Sequence, residues 1–183
     1  MNKLYNNDEL FGNIRSPALL ADYLSTVSGA TVATIAGSCL ESELKSLVDR
    51  YVNDKEISGK QLERAKKNNR FSDNIKFAHK EGLIPEDFYH DLNLIKDIRN
   101  KFAHAERPIT FEKEEIKELC NKFKNVHFNE NVNSKEKFCS VANYLLAVIS
   151  CHRGFSNNLE QHKVFEMAQE SMKILKDSKC PGL

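Results

Sequence analysis

The sequence is short of chain breakers: 183 residues include only 7 glycines and 4 prolines. A fold of many short strands needs turn residues at regular intervals, so this scarcity argues against a many-turned β architecture and for long helices. An excess of one charge is also missing. Lys and Arg number 27 against 26 Asp and Glu, a formal net charge of +1. Phosphate neutralisation supplies most of the affinity of a duplex-coating protein. Contact with nucleic acid would therefore need a local patch, a groove made by two copies, or a partner.

Long apolar runs are missing too. The most apolar stretches, residues 31–39 and 141–151, are too short to span a bilayer and read as core helices, so no membrane partner is expected. Met1-Asn2-Lys3-Leu4-Tyr5-Asn6-Asn7-Asp8-Glu9 has no apolar signal region and no cleavage signature. Five cysteines occur, Cys39, Cys120, Cys139, Cys151 and Cys180, with no C-x-x-C pair. An odd, scattered set reads as reduced thiols in a cytoplasmic protein. Cys151-His152 is one adjacent pair without a second pair at zinc spacing, so neither a metal nor another cofactor is expected. No phosphate-binding glycine loop, nucleophile elbow or basic helix-turn-helix is visible.

Hydrophobic residues make up 40% and charged residues 29%, a globular balance. The chain reads as a flexible segment over 1–16, one helical domain over 17–176 and a tail over 177–183. Ser16-Pro17 is a helix start, cap then proline, for a short helix over 18–26. A long helix is predicted over 30–53, where Val32, Ile35, Cys39, Leu40, Leu44, Leu47, Val48 and Tyr51 draw one apolar stripe. A short polar helix over 60–67 carries a basic cluster, Lys60, Arg64, Lys66, Lys67 and Arg70. Such a run is either a solvated face or a phosphate-contacting patch.

Ser72 is the expected cap of the next helix, which Gly82 stops. Pro85-Glu86-Asp87 opens a helix with the stripe Phe88, Leu92, Ile95, Ile98 and Phe102, ended by Pro108. Thr110 is the expected cap of a helix burying Ile116, Leu119, Cys120 and Phe123. After a loop over 125–133, Ser134 starts another helix through Phe138, Val141, Leu145, Val148 and Ile149, and a last helix is expected over 159–176. Strand-period alternation and internal repeats are missing. The fold class is all-α, an antiparallel helical bundle.

The segment Ile98-Arg99-Asn100-Lys101-Phe102-Ala103-His104 closes the central helix. Arginine presents a permanent, planar charge that matches phosphate. Histidine moves protons near neutral pH, and asparagine can orient either group. This set suits phosphodiester chemistry in RNA. On an ideal helix, however, Arg99 and His104 stand about 140° apart. They converge only if the helix tightens or unwinds at its end, or if two copies face each other across a two-fold axis. The alternative is structural: His104 hydrogen-bonds the last carbonyls and Arg99 pairs with Glu81, Asp97 or Glu106.

Three stretches, Phe71–Lys76, Glu81–Tyr89 and Ile95–His104, followed by Ile109-Thr110-Phe111-Glu112 and Ile116, together resemble the mannitol operon repressor (MltR) family. Cys39-Leu40-Glu41-Ser42-Glu43-Leu44 is similar to that family's first long helix. The resemblance covers about residues 30–123. It implies an all-helical regulator of transcription that lacks a DNA-binding motif and acts through a protein partner. Arg99-Asn100-x3-His104 also resembles the R-x4-6-H motif of the HEPN superfamily, helical bundles that often dimerise. Many of those are metal-independent ribonucleases of toxin or defence systems, and others are non-catalytic. That likeness implies Arg99 on the phosphate, His104 as acid/base and Asn100 as orienting group. A homodimer, a protein partner and RNA are thus the expected partners.

Overall fold

A computed structural model describes residues 27–54, 70–154, 166–168 and 170. The helices expected over 18–26 and 60–67 lie outside the described residues, as do both termini, Cys180, Lys60, Arg64, Lys66 and Lys67. The chain is helical, with no strand among the described residues. Among the described residues five helices of defined extent follow one another: α1 (Gly29–Asp54), α2 (Phe71–Lys80), α3 (Glu86–Ala103), α4 (Glu114–Cys120) and α5 (Ser134–Gly154). Residues 166–168 and 170 are also helical, and Ala168 packs against the core. No helix among the described residues is long and apolar enough to cross a membrane.

The longest of the described helices, α1, is the centre of the packing, against α5, α3 and α2; α4 closes against α3 and α5. Its apolar stripe explains this. Val32, Ile35, Leu40, Leu44, Leu47 and Val48 are buried as their spacing predicts, and Ala33, Ala36 and Val52 widen the buried face. Cys39 and Tyr51 lie at its margin, partly buried. From α3, Phe88, Leu92, Ile95 and Ile98 are fully buried, and Phe138, Val141, Leu145 and Ile149 answer from α5. Each such side chain contributes about 1.5–3 kcal/mol by leaving water. The rings of Phe102, Phe111 and Phe138 form a chain with centroids 4.9 and 5.2 Å apart, which folds the segment after α3 back onto the core.

Helix ends follow local chemistry, with two departures from expectation. Gly82 (φ 71°) stops α2 as predicted. Its N–H reaches the His79 carbonyl and that of Leu83 the Ala78 carbonyl, a paired closure that needs a left-handed residue between. Asn133 and Glu136 cap α5 reciprocally, the Asn133 side chain accepting the Glu136 N–H and the Glu136 carboxylate accepting the Asn133 N–H.

Ser72, however, is inside α2 and caps nothing: the helix begins at Phe71, with the Arg70 carbonyl accepting the N–H groups of Asp73 and Asn74. Burial of Phe71 draws the first turn back. Thr110 does not cap α4 either. Its hydroxyl accepts the Glu112 N–H within a turn, and the helix waits until Glu114 because the intervening Phe111 is committed to the core. Phe123 lies beyond α4, partly buried against the core.

A buried carboxylate holds the α4–α5 connection. Asp91, in the middle of α3, has no solvent exposure. It accepts the N–H groups of Lys124 (3.0 and 3.1 Å) and Asn125 (2.9 Å) and the Asn125 side-chain amide (2.8 Å). The same Asn125 amide donates to the Asp87 carbonyl, and His90 Nδ1 lies 2.8 Å from Asp91 Oδ1. A carboxylate taken out of water is tolerated only when so fully satisfied.

Two measurements test this packing. Asp91→Ala strands buried amide donors and is expected to lower the unfolding free energy in urea by about 3 kcal/mol, whereas exposed Asp97→Ala stays within about 0.5 kcal/mol. Burial pushes the Cys120 thiol up to about 12 and Cys139 to about 11, and also raises Cys39, while Cys151 is exposed. Raised values mean protonated, unreactive sulfur at pH 8. Timed alkylation with mass mapping is therefore expected to label Cys151 before the other three.

Candidate functional site

The last turns of α3 carry the segment singled out in the sequence. The helix neither unwinds nor tightens before its end. It runs to Ala103, and the His104 N–H still reaches the Asn100 carbonyl at 3.0 Å. Arg99 and His104 therefore leave the helix in different directions, about 140° apart at the backbone. Asn100 and His104, one turn apart, share a side, and both are exposed. Among the described residues neither side chain makes a hydrogen bond or ion pair. Ile98 and Phe102 point inward and are buried. The imidazole thus meets water, not aliphatic neighbours.

Arg99 turns the other way, onto α1. Its Nη1 donates to Glu41 Oε2 at 2.7 Å, with the two side chains 28% and 31% exposed. The partner is none of Glu81, Asp97 or Glu106, the acidic residues nearer in sequence; it comes from 58 positions away. The stem of Arg99 crosses α1 at Gly37. A Cβ at that glycine would stand 2.5 Å from Arg99 Cδ and 3.3 Å from Cγ, so the arginine stem would have to shift to admit it. Gly37 and Glu41 are one turn apart, so one face of α1 seats both stem and head.

Around these groups the surface is charged in both signs. Lys101 Nζ and Lys113 Nζ both contact the Glu115 carboxylate, at 3.0 and 2.6 Å, tying the end of α3 to the start of α4. Hydrogen bonds from Lys113, then from Lys101, hold the Glu115 carboxyl below its usual range. Beyond His104, the residues Glu106, Arg107 and Pro108 are exposed, so residues 100–108 form a largely open surface broken only by Phe102 and half-buried Ala105.

Of the basic cluster, Arg70 alone is described; it is exposed and precedes α2. His90 is directed to Asp91, nine positions before Arg99 and about 14 Å up the helix axis, so it is not part of this segment. His79 stacks on Tyr89 (4.4 Å) and its Nε2 meets Glu86 at 2.8 Å, a packing role at the α2–α3 corner. Among the described residues no group of three or more His, Cys, Asp or Glu side chains is placed to hold a metal ion.

Sequence reasoning missed Glu41, Gly37 and Asp91. Asp91 had a legible signal: it stands three residues after Phe88 and four before Ile95, a carboxylate on an apolar stripe. Gly37 was legible as a glycine inside a strong helix. That Glu41 receives Arg99 depends on how two distant helices cross, which no local pattern encodes.

The pair is partly exposed, so its own contribution is modest. A double-mutant cycle on Arg99→Ala and Glu41→Ala is expected to give a coupling of about 1 kcal/mol or less, shrinking in high salt, by urea unfolding. A coupling of zero at low salt would remove the contact. Compared with known proteins, the chain matches no family model, no curated protein and no solved structure.

Proposed function

We propose that this chain is a regulatory protein of the MltR type, an antiparallel helical bundle that controls transcription through protein–protein contacts. One observation carries the reading: the only arginine of the α3 segment is charge-paired with Glu41, while the residues beside it are open and of mixed sign. Mixed charge at a rim steers and selects a protein partner. The near-neutral chain supplies little of the field that duplex binding needs. The exposed stretch from Asn100 to Pro108 is the contact surface, and the chain works as a homodimer or with a different regulator.

A second reading is favoured by a separate observation, the open imidazole of His104 one turn from the Asn100 amide. In this reading the chain is a HEPN-type, metal-independent ribonuclease of a toxin or defence system. A base takes the proton of an RNA 2′-hydroxyl, whose oxygen attacks the adjacent phosphorus. The P–O5′ bond breaks, the leaving oxygen takes a proton from the acid, and a 2′,3′-cyclic phosphate and a 5′-hydroxyl result. Arg99 stabilises the phosphoryl charge. Because Arg99 and His104 diverge within one protomer, the two imidazoles and two guanidiniums of a dimer combine across the two-fold axis.

Two experiments separate the readings. Full-length protein used as bait in its native host is expected to retain a regulator or another protein, and to lose it on charge reversal by Lys101→Glu with His104→Glu. Retention of no protein, or equal retention by the variant, overturns the regulatory reading. Single-stranded RNA incubated with EDTA tests the other. Cleavage by the wild type that falls about 10²–10⁴-fold in His104→Ala supports it; no cleavage, or equal cleavage by wild type, His104→Ala and Arg99→Ala, overturns it.

A further inference from the structure

We propose that the start of α2 is a binding site for a phosphate group, held by the Arg70 guanidinium, the free N–H groups of the first turn and the side-chain amide of Asn74. The inference is independent of both readings of the α3 segment and uses none of its residues.

Two observations carry it. The first is the bare end of the helix. α2 is ten residues long and no side chain caps its start. The Arg70 carbonyl accepts the N–H groups of Asp73 and Asn74. Those of Phe71 and Ser72 have no partner among the described residues, so the positive end of the helix dipole is open. Arg70 stands at the cap position, exposed, and makes no ion pair among the described residues.

The second observation is buried. Asn74 is 4% exposed, and its Nδ2 has no hydrogen-bond partner among the described residues. It lies on the inward side of α2 with Phe71 and Ala78, where an apolar side chain would pack without leaving a donor unpaired. Asn74 is the fourth residue of the helix. A side chain at that position leans back over the first turn, toward the chain that enters the helix. The amide is thus aimed at the end where the backbone donors are free. The guanidinium, two backbone N–H groups and Asn74 Nδ2 are all donors, the set that an anion requires. A planar fork beside a helix start suits the several oxygens of phosphate.

Charge in the sequence points the same way. Lys67 stands three positions before Arg70. Three residues of chain span at most about 10 Å, roughly one Debye length, so that charge adds to the local field without being a ligand. One group opposes binding: Asp73, partly exposed in the first turn. The shared chemistry is a terminal phosphate, whose source is free phosphate or a small phosphorylated molecule such as a nucleotide.

The test is an NMR titration of isotope-labelled, full-length protein with inorganic phosphate and, separately, with a nucleoside monophosphate, each against sodium chloride at equal ionic strength. Phosphate, unlike chloride, is expected to move the Phe71 and Ser72 N–H resonances and the Asn74 side-chain amide saturably. Arg70→Ala is expected to weaken binding about tenfold, and Asp73→Asn to tighten it. Asn74→Leu separates binding from folding. It removes an unpaired buried donor, so its thermal unfolding is expected at the wild-type temperature or above, yet phosphate binds it more weakly. Tighter binding of the nucleotide than of phosphate supports the site and assigns it to a phosphorylated molecule; equal or weaker binding of the nucleotide supports the site and assigns it to free phosphate. A response no different from that to chloride, or wild-type affinity in Arg70→Ala or in Asn74→Leu, overturns the proposal. If Asn74→Leu does not fold, Arg70→Ala decides.

Discussion

The close crossing of α3 over α1 is the constraint on which the rest of this protein depends. Ile95 and Ile98 commit α3 to α1 through the core. The same approach brings the next residue, Arg99, against the α1 backbone at Gly37. Once that face is occupied, Asn100 and His104, on another side of the regular helix, are left to solvent. Burial of one side and exposure of the other are thus consequences of a single packing decision. The phenylalanine chain Phe102–Phe111–Phe138 then fixes where the polypeptide goes after α3, and so where the exposed stretch ends.

Much of this frame was legible because apolar periodicity is a strong local signal. The stripes of α1, α3 and α5 and the stop at Gly82 follow from spacing and backbone chemistry alone. The start of α5 at Ser134 was legible, while its cap, Asn133, lies in the stretch expected as a loop. Caps were misread where a neighbouring aromatic is pulled inward. Phe71 moves the start of α2 ahead of Ser72, and Phe111 delays α4 past Thr110. In both places tertiary burial outweighs capping, whose worth is about 1 kcal/mol.

The candidate segment was legible in its residue types but not in its geometry. Arg99, Asn100 and His104 stand out as residue types at the end of a helix. Their convergence within one chain needed a distortion that the hydrogen-bond ladder does not show, since it continues to His104. What the sequence could not supply was the partner of Arg99. Acidic residues close along the chain were the natural candidates, but an arginine on a face turned toward another helix takes whatever that helix presents. Here the crossing presents Glu41.

The clamp at Asp91 has a consequence for how the molecule tolerates change. Because the backbone at Lys124 and Asn125 hangs from the flank of α3, the chain between α4 and α5 is anchored at its first residues, and the Asn133–Glu136 cap secures its last. The tip between these anchors, Asn129–Asn131, is exposed. Extra residues there add only the slow logarithmic entropy of a longer loop, which makes this tip the natural place to graft a tag or epitope without disturbing the end of α3.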